Sequence, residues 1–137
     1  MFIAILALLL GANASVTDCS KSTSLFKITS MSFGPDPPVR GQNSTLNLSM
    51  NVPAAVTGGT VTYSATYNFI PLTPSTEDLC TVAPAGCPIT AGTLNTVSSI
   101  PFDGSLTGSL TVKIEWKNLA GQQLMCVSIK TLISDSI

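Results

Sequence analysis

Residues 60–69 read Thr-Val-Thr-Tyr-Ser-Ala-Thr-Tyr-Asn-Phe, and their alternation is complete. Val61, Tyr63, Ala65, Tyr67 and Phe69 share one parity; Thr60, Thr62, Ser64, Thr66 and Asn68 share the other. Successive side chains of an extended chain point to opposite faces, so this stretch predicts a strand with one buried and one wet face. Residues 105–117 repeat the pattern, with Leu106, Gly108, Leu110, Val112, Ile114 and Trp116 on the apolar parity. Ser, Thr, Lys and Glu hold the other parity there.

Shorter runs extend the reading. Leu46, Leu48, Met50 and Val52 alternate with Asn47, Ser49 and Asn51, and Met125, Val127, Ile129 and Ile133 form a last strand with Ser128 and Lys130 outward. Between Phe26 and Phe33 the apolar parity changes, from Phe26 and Ile28 to Met31 and Phe33, which predicts a β-bulge near Thr29 or Ser30. Residues 94–100 give a weaker strand, and no segment has helical periodicity. Turn-rich segments separate these runs: Gly34 to Pro38, Thr57 to Gly59, Pro71 to Pro88, Asp103-Gly104 and Ala120-Gly121. About seven short strands divided by such turns predict an all-β, antiparallel, immunoglobulin-like sandwich. The chain of 137 residues has room for one such domain.

Met1 to Leu10 is an apolar run followed by Ala12-Asn13-Ala14. A transmembrane helix needs about 20 apolar residues, so the run suits a signal peptide cleaved after Ala14. The expected division is a signal peptide at 1–14 and a mature domain at 15–137, destined for secretion or for the lumen of a lysosome or vacuole. In an oxidising compartment the four cysteines are expected to form disulfides. Cys80 and Cys87 enclose a short segment with Pro84 and Gly86, which suits a small closed loop. Cys19 and Cys126 then tie the start of the mature chain to its last strand. A four-cysteine zinc site fits poorly, because the chain has no C-x-x-C pair and no histidine. Asn43-Ser44-Thr45 and Asn47-Leu48-Ser49 are N-glycosylation sequons whose asparagines face away from Leu46 and Leu48.

Composition removes several function classes. Charged residues make up only 9% of the chain and the formal net charge is −1, with the basic residues scattered, so no nucleic-acid surface is expected. Lacking histidine, the chain has no Ser-His or Cys-His arrangement. Glu77 and Asp78 are neighbours that point apart along an extended chain, so no paired-carboxylate centre is expected either. No phosphate loop or cofactor fingerprint is present. The expectation is a non-enzyme without metal or cofactor.

The landmarks, taken in order, are Asp18-Cys19, Phe33-Gly34-Pro35-Asp36-Pro37-Pro38 with Arg40-Gly41, Asp78-Leu79-Cys80, Cys87-Pro88-Ile89 with Gly92, Ile100-Pro101, and Lys113-Ile114-Glu115-Trp116 before Cys126. This ordered set resembles the ML lipid-recognition domain family, which includes the soluble Niemann-Pick type C sterol carrier. The Pro-Asp-Pro-Pro segment is most similar to the family's phosphatidylglycerol/phosphatidylinositol transfer proteins. The resemblance implies two sheets splayed around a sterol or phospholipid, and the same cysteine pairing. Many members carry a further disulfide in the segment corresponding to 33–41, where this chain has prolines and no cysteine.

Periodicity alone predicts an ordinary filled core, and with it the rival function of a secreted protein-recognition module that holds no lipid. The resemblance reverses that ranking. It implies lipid contact for the inward-parity residues Tyr63, Tyr67, Phe69, Val112, Ile114 and Trp116. It places Leu72, with Phe69, and Phe102 and Leu106 around a mouth. The expected carrier is a monomer that touches membranes transiently to load and release its lipid.

Overall fold

The computed structural model describes residues 15–34, 41–101 and 108–133. The expected signal peptide, the Pro-Asp-Pro-Pro segment, Phe102 and Leu106 lie outside the described residues. Among the described residues the strands are β1 (Ser15–Asp18), β2 (Lys27–Gly34), β3 (Asn43–Val52), β4 (Gly59–Tyr67), β5 (Ile70–Pro71), β6 (Ser75–Asp78), β7 (Gly92–Pro101), β8 (Gly108–Asn118) and β9 (Gln123–Ile133), with one helical turn, α1 (Leu79–Val82), after β6. All pairings are antiparallel. A six-stranded sheet runs β1-β9-β8-β4-β5, with β6 also on β4, and a three-stranded sheet runs β2-β3-β7.

Register explains which side chains meet. In the larger sheet Val61 lies opposite Trp116, Tyr63 opposite Ile114, Ala65 opposite Val112 and Tyr67 opposite Leu110. On the next strand Met125, Val127 and Ile129 continue the rows of Trp116, Ile114 and Val112. The smaller sheet answers with Leu46, Leu48, Met50 and Val52, all buried, flanked by Ile28, Met31 and Phe33 on β2. The pairing register shifts between Ile28 and Ser30, which is the bulge the parity change predicts. Packing these two inner faces builds the main core, and Phe26 and Trp116 meet there edge to face with ring centroids 6.4 Å apart.

Three features depart from the sequence reading. The segment from Pro71 to Pro88 contains β6 and α1. Asp78 caps α1, its carboxylate accepting the Cys80 amide at 2.9 Å, while the Thr81 hydroxyl donates to the Asp78 carbonyl at 2.7 Å. At the start of β9 the alternation fails, and Leu124, Met125, Cys126 and Val127 are all buried. There the Leu25 and Phe26 amides donate to the Gln123 and Leu124 carbonyls, so another segment covers what parity assigns to water. Finally, β4 ends at Tyr67, so Phe69 is not an inward strand residue.

Disulfides join Cys19 to Cys126 and Cys80 to Cys87. The first anchors the chain after β1 to β9, where the Cys19 amide also donates to the Cys126 carbonyl at 3.0 Å. Gly59 permits the close approach of β4 to β8, since a Cβ there would collide with the Lys117 carbonyl oxygen.

Candidate functional site

The two ends of the sandwich are packed differently. Toward the Cys19–Cys126 end the inner faces are sealed, with Val61, Trp116, Leu124 and Met125 at most 3% exposed. Toward the opposite end, every residue of β4 from Thr62 to Tyr67 is only half-buried, as is Val112. Leu110 forms a small second cluster here, with Ala65, Tyr67 and Val112 from its own sheet and Phe33 and Ile100 from the facing one. β2 and β7 end here and β3 and β8 begin here, and this end is the candidate mouth.

At the rim, Tyr67 pairs with Ile70 across the turn Asn68-Phe69. Both turn residues have positive φ, 49° for Asn68 and 69° for Phe69. This is the backbone of a two-residue hairpin turn, for which asparagine followed by glycine is the favoured pair. Asparagine suits its place, and its side-chain oxygen accepts the Ser109 amide at 2.8 Å. Phenylalanine occupies the place that favours glycine, at a left-handed backbone cost of about 1–2 kcal/mol. Its side chain is 87% exposed, beside Ile70 at 62% and Leu72 at 47%. The rim is thus an apolar, solvent-facing ridge on a strained turn.

Below the rim, Tyr63 is half-buried, and its hydroxyl donates to the carboxylate of Glu77, which occupies the adjacent edge strand β6. Burial, with the hydrogen bond and the negative charge of Glu77, pushes the Tyr63 hydroxyl from about 10 up to about 12. It therefore remains neutral below that range. Ile114 and Trp116 lie deeper, in the main core. The inward-parity residues therefore grade from half-buried Tyr67, Tyr63 and Val112 to sealed Ile114 and Trp116.

Sequence reasoning missed a set of hydroxyls on these inner faces. Ser44 is opposite Ile100 and Thr96 is opposite Leu48, so both point inward with the apolar residues of β3 and β7. They are 0% and 6% exposed, and neither side-chain oxygen has a hydrogen-bond partner. An unpaired buried hydroxyl costs about 1–3 kcal/mol. Thr131, opposite Leu110, is also buried, and its hydroxyl reaches the Leu132 carbonyl only at 3.5 Å. The signal was present as Ser and Thr on an inward parity, but polarity alone reads them as outward. A separate cleft of about 110 Å³ lies by the Cys80–Cys87 loop, lined by Pro84, Pro88, Ile89 and Leu94 among others. It falls below the ~300 Å³ at which pockets for drug-sized ligands begin.

These features define an immunoglobulin-like, disulfide-tied β-sandwich, sealed at one end and loosened at the other. The family model of the ML domain matches residues 13–133, and the chain belongs to that family. A Dictyostelium discoideum protein named for phosphatidylglycerol/phosphatidylinositol transfer is 33% identical over 102 residues, covering 70% of this chain and 72% of its own. Among solved structures, the Niemann-Pick type C2 protein of the Japanese carpenter ant superposes with a TM-score of 0.68 at 15% identity, over 88% of this chain and 99% of that one. Chicken MD-1, solved in complex with lipid IVa, gives a TM-score of 0.56 at 14% identity, over 87% and 97% of the two chains. At such identities the structural likenesses establish the fold alone.

Proposed function

We propose that this ML-domain protein is a lipid carrier. It takes a sterol or phospholipid between its two sheets from the mouth end and passes it between membranes, without catalysis. The observation that carries this reading is the coincidence, at one end of the sandwich, of half-buried inner faces with the exposed Phe69, Ile70 and Leu72. Family membership and the transfer proteins among its relatives support it.

In the proposed mechanism the ridge of Phe69, Ile70 and Leu72 enters the membrane surface, and Phe102 and Leu106 complete the mouth. The acyl chains slide past Tyr67, Tyr63 and Val112 toward a floor of Ile114 and Trp116. Burying roughly 15 methylenes at about 0.8 kcal/mol each gains about 12 kcal/mol before the costs of immobilisation. The proposal includes a signal peptide at 1–14, glycans on exposed Asn43 and Asn47, and work as a monomer outside the cell or in a lysosomal or vacuolar lumen.

Native mass spectrometry of the secreted, oxidised protein, with solvent extraction of what it holds, tests the reading. One lipid per chain is expected. A clean lipid-free mass, unchanged by incubation with sterol and phospholipid vesicles, would overturn it in favour of a protein-recognition module with a filled core. Phe69→Asp and Leu72→Asp should each abolish vesicle-to-vesicle transfer while leaving the unfolding midpoint nearly unchanged.

A further inference from the structure

Ser44 is the first inward residue of β3 at the mouth end, since Gly41, Gln42 and Asn43 before it are exposed. Its partner Ile100 belongs to the small cluster around Leu110, which fixes Ser44 at the mouth rather than at the sealed floor. The position belongs to the inner-face row of Leu46, Leu48 and Met50, yet it carries a fully buried hydroxyl with no partner. Nothing in the packing needs an oxygen there. A donor held at that depth suits an acceptor that arrives with the ligand.

We propose that the Ser44 hydroxyl donates a hydrogen bond to an ester carbonyl of the bound lipid, and that the preferred cargo is therefore a diacylglycerol-based phospholipid. This rests on the lipid-carrier reading and deepens it. With a polar head group held at the rim, the ester carbonyls of such a lipid lie just below it, at the first inward residues. A sterol has a single hydroxyl at one end and only hydrocarbon beneath, and would leave Ser44 unpaired. Among the described residues Thr96 is the other buried hydroxyl without a partner, but it lies about 13 Å deeper at ~3.3 Å per residue, at the level of the acyl chains. It is therefore an internal control for depth.

The test compares diester and diether phosphatidylglycerol of the same chain length, which differ only in the carbonyls. Binding is read by displacement of a fluorescent phospholipid from the whole oxidised protein. The natural chain should prefer the diester by about fivefold, the effect of one neutral hydrogen bond. Ser44→Ala, which keeps Thr45 and so the Asn43 sequon, should bind the two equally, and its unfolding midpoint should rise because an unpaired buried hydroxyl is gone. Thr96→Val should keep the preference. Equal binding of both lipids by the natural chain, or a preference that survives Ser44→Ala or vanishes in Thr96→Val, would overturn the Ser44 contact while leaving the carrier reading intact. Binding of neither lipid, with sterols also refused, would overturn both.

Discussion

Strands β4 and β8 run the length of the larger sheet, and their two halves live in different surroundings. At one end Val61 and Trp116 face each other in a sealed core beside the Cys19–Cys126 bridge. At the other, Tyr67 and Ala65 are half-buried beside Leu110 and Val112, under a turn that holds Phe69 in water. The same alternation of residue types underlies both halves. What separates them is what lies across the gap: Phe26, Met50 and Val52 pack the sealed end, whereas Ser44, Ser98 and Ile100 face the mouth. The fully buried apolar side chain of β4, Val61, lies in one half of the molecule, and the strand's half-buried ones, with the exposed Phe69, lie in the other.

Substitutions should divide along the same line. The largest loss is expected from Cys19→Ser with Cys126→Ser, which opens a crosslink spanning 107 residues of sequence. On the chain-entropy account that costs about 4–5 kcal/mol, against about 2–3 for opening the Cys80–Cys87 loop. Urea denaturation of both pairs measures the contrast. Trp116→Ala should follow at about 3–5 kcal/mol, while Tyr67→Ala should cost only about 1–2 because its side chain is half in water. Similar losses at the two sites would mean that the ends are equally packed.

Phe69→Gly carries the opposite sign. It removes the left-handed cost of a bulky residue and should stabilise the protein by about 1 kcal/mol, yet slow lipid transfer. A variant both more stable and fully active would remove the functional reason for phenylalanine in that turn. The smallest effect is expected at alkaline pH. The Tyr63 hydroxyl is raised in the folded state, so its contribution is fully present below about pH 10 and is lost as the pH climbs toward about 12. Subtracting the stability profile of Tyr63→Phe from that of the natural chain should isolate this loss.

The parity of residues 60–67 and 108–117 made the two central strands and their inner faces legible, and the phase change between Ile28 and Met31 made the bulge legible. Local patterning could not reveal β1, whose only apolar residue is Val16 and whose place depends on pairing with distant β9. Nor could it reveal β6, fully exposed and polar, or α1, a single turn too short for helical periodicity. At the site, parity ran one turn too far. It carried Phe69 inward, because Asn-Phe lacks the glycine that marks a hairpin turn. Ser44 and Thr96 escaped for the converse reason, being polar residues on an apolar row.

Hydrogen–deuterium exchange can establish whether lipid enters between the sheets at the mouth and leaves the sealed end undisturbed. Delipidated protein would be measured with and without phosphatidylglycerol vesicles. Amides of Tyr63 to Leu72 and of Leu110 to Val112 should exchange faster than those around Val61, Trp116 and Met125, and lipid should slow only the faster set. Uniform exchange along β4 and β8 that lipid does not alter would contradict entry at the mouth.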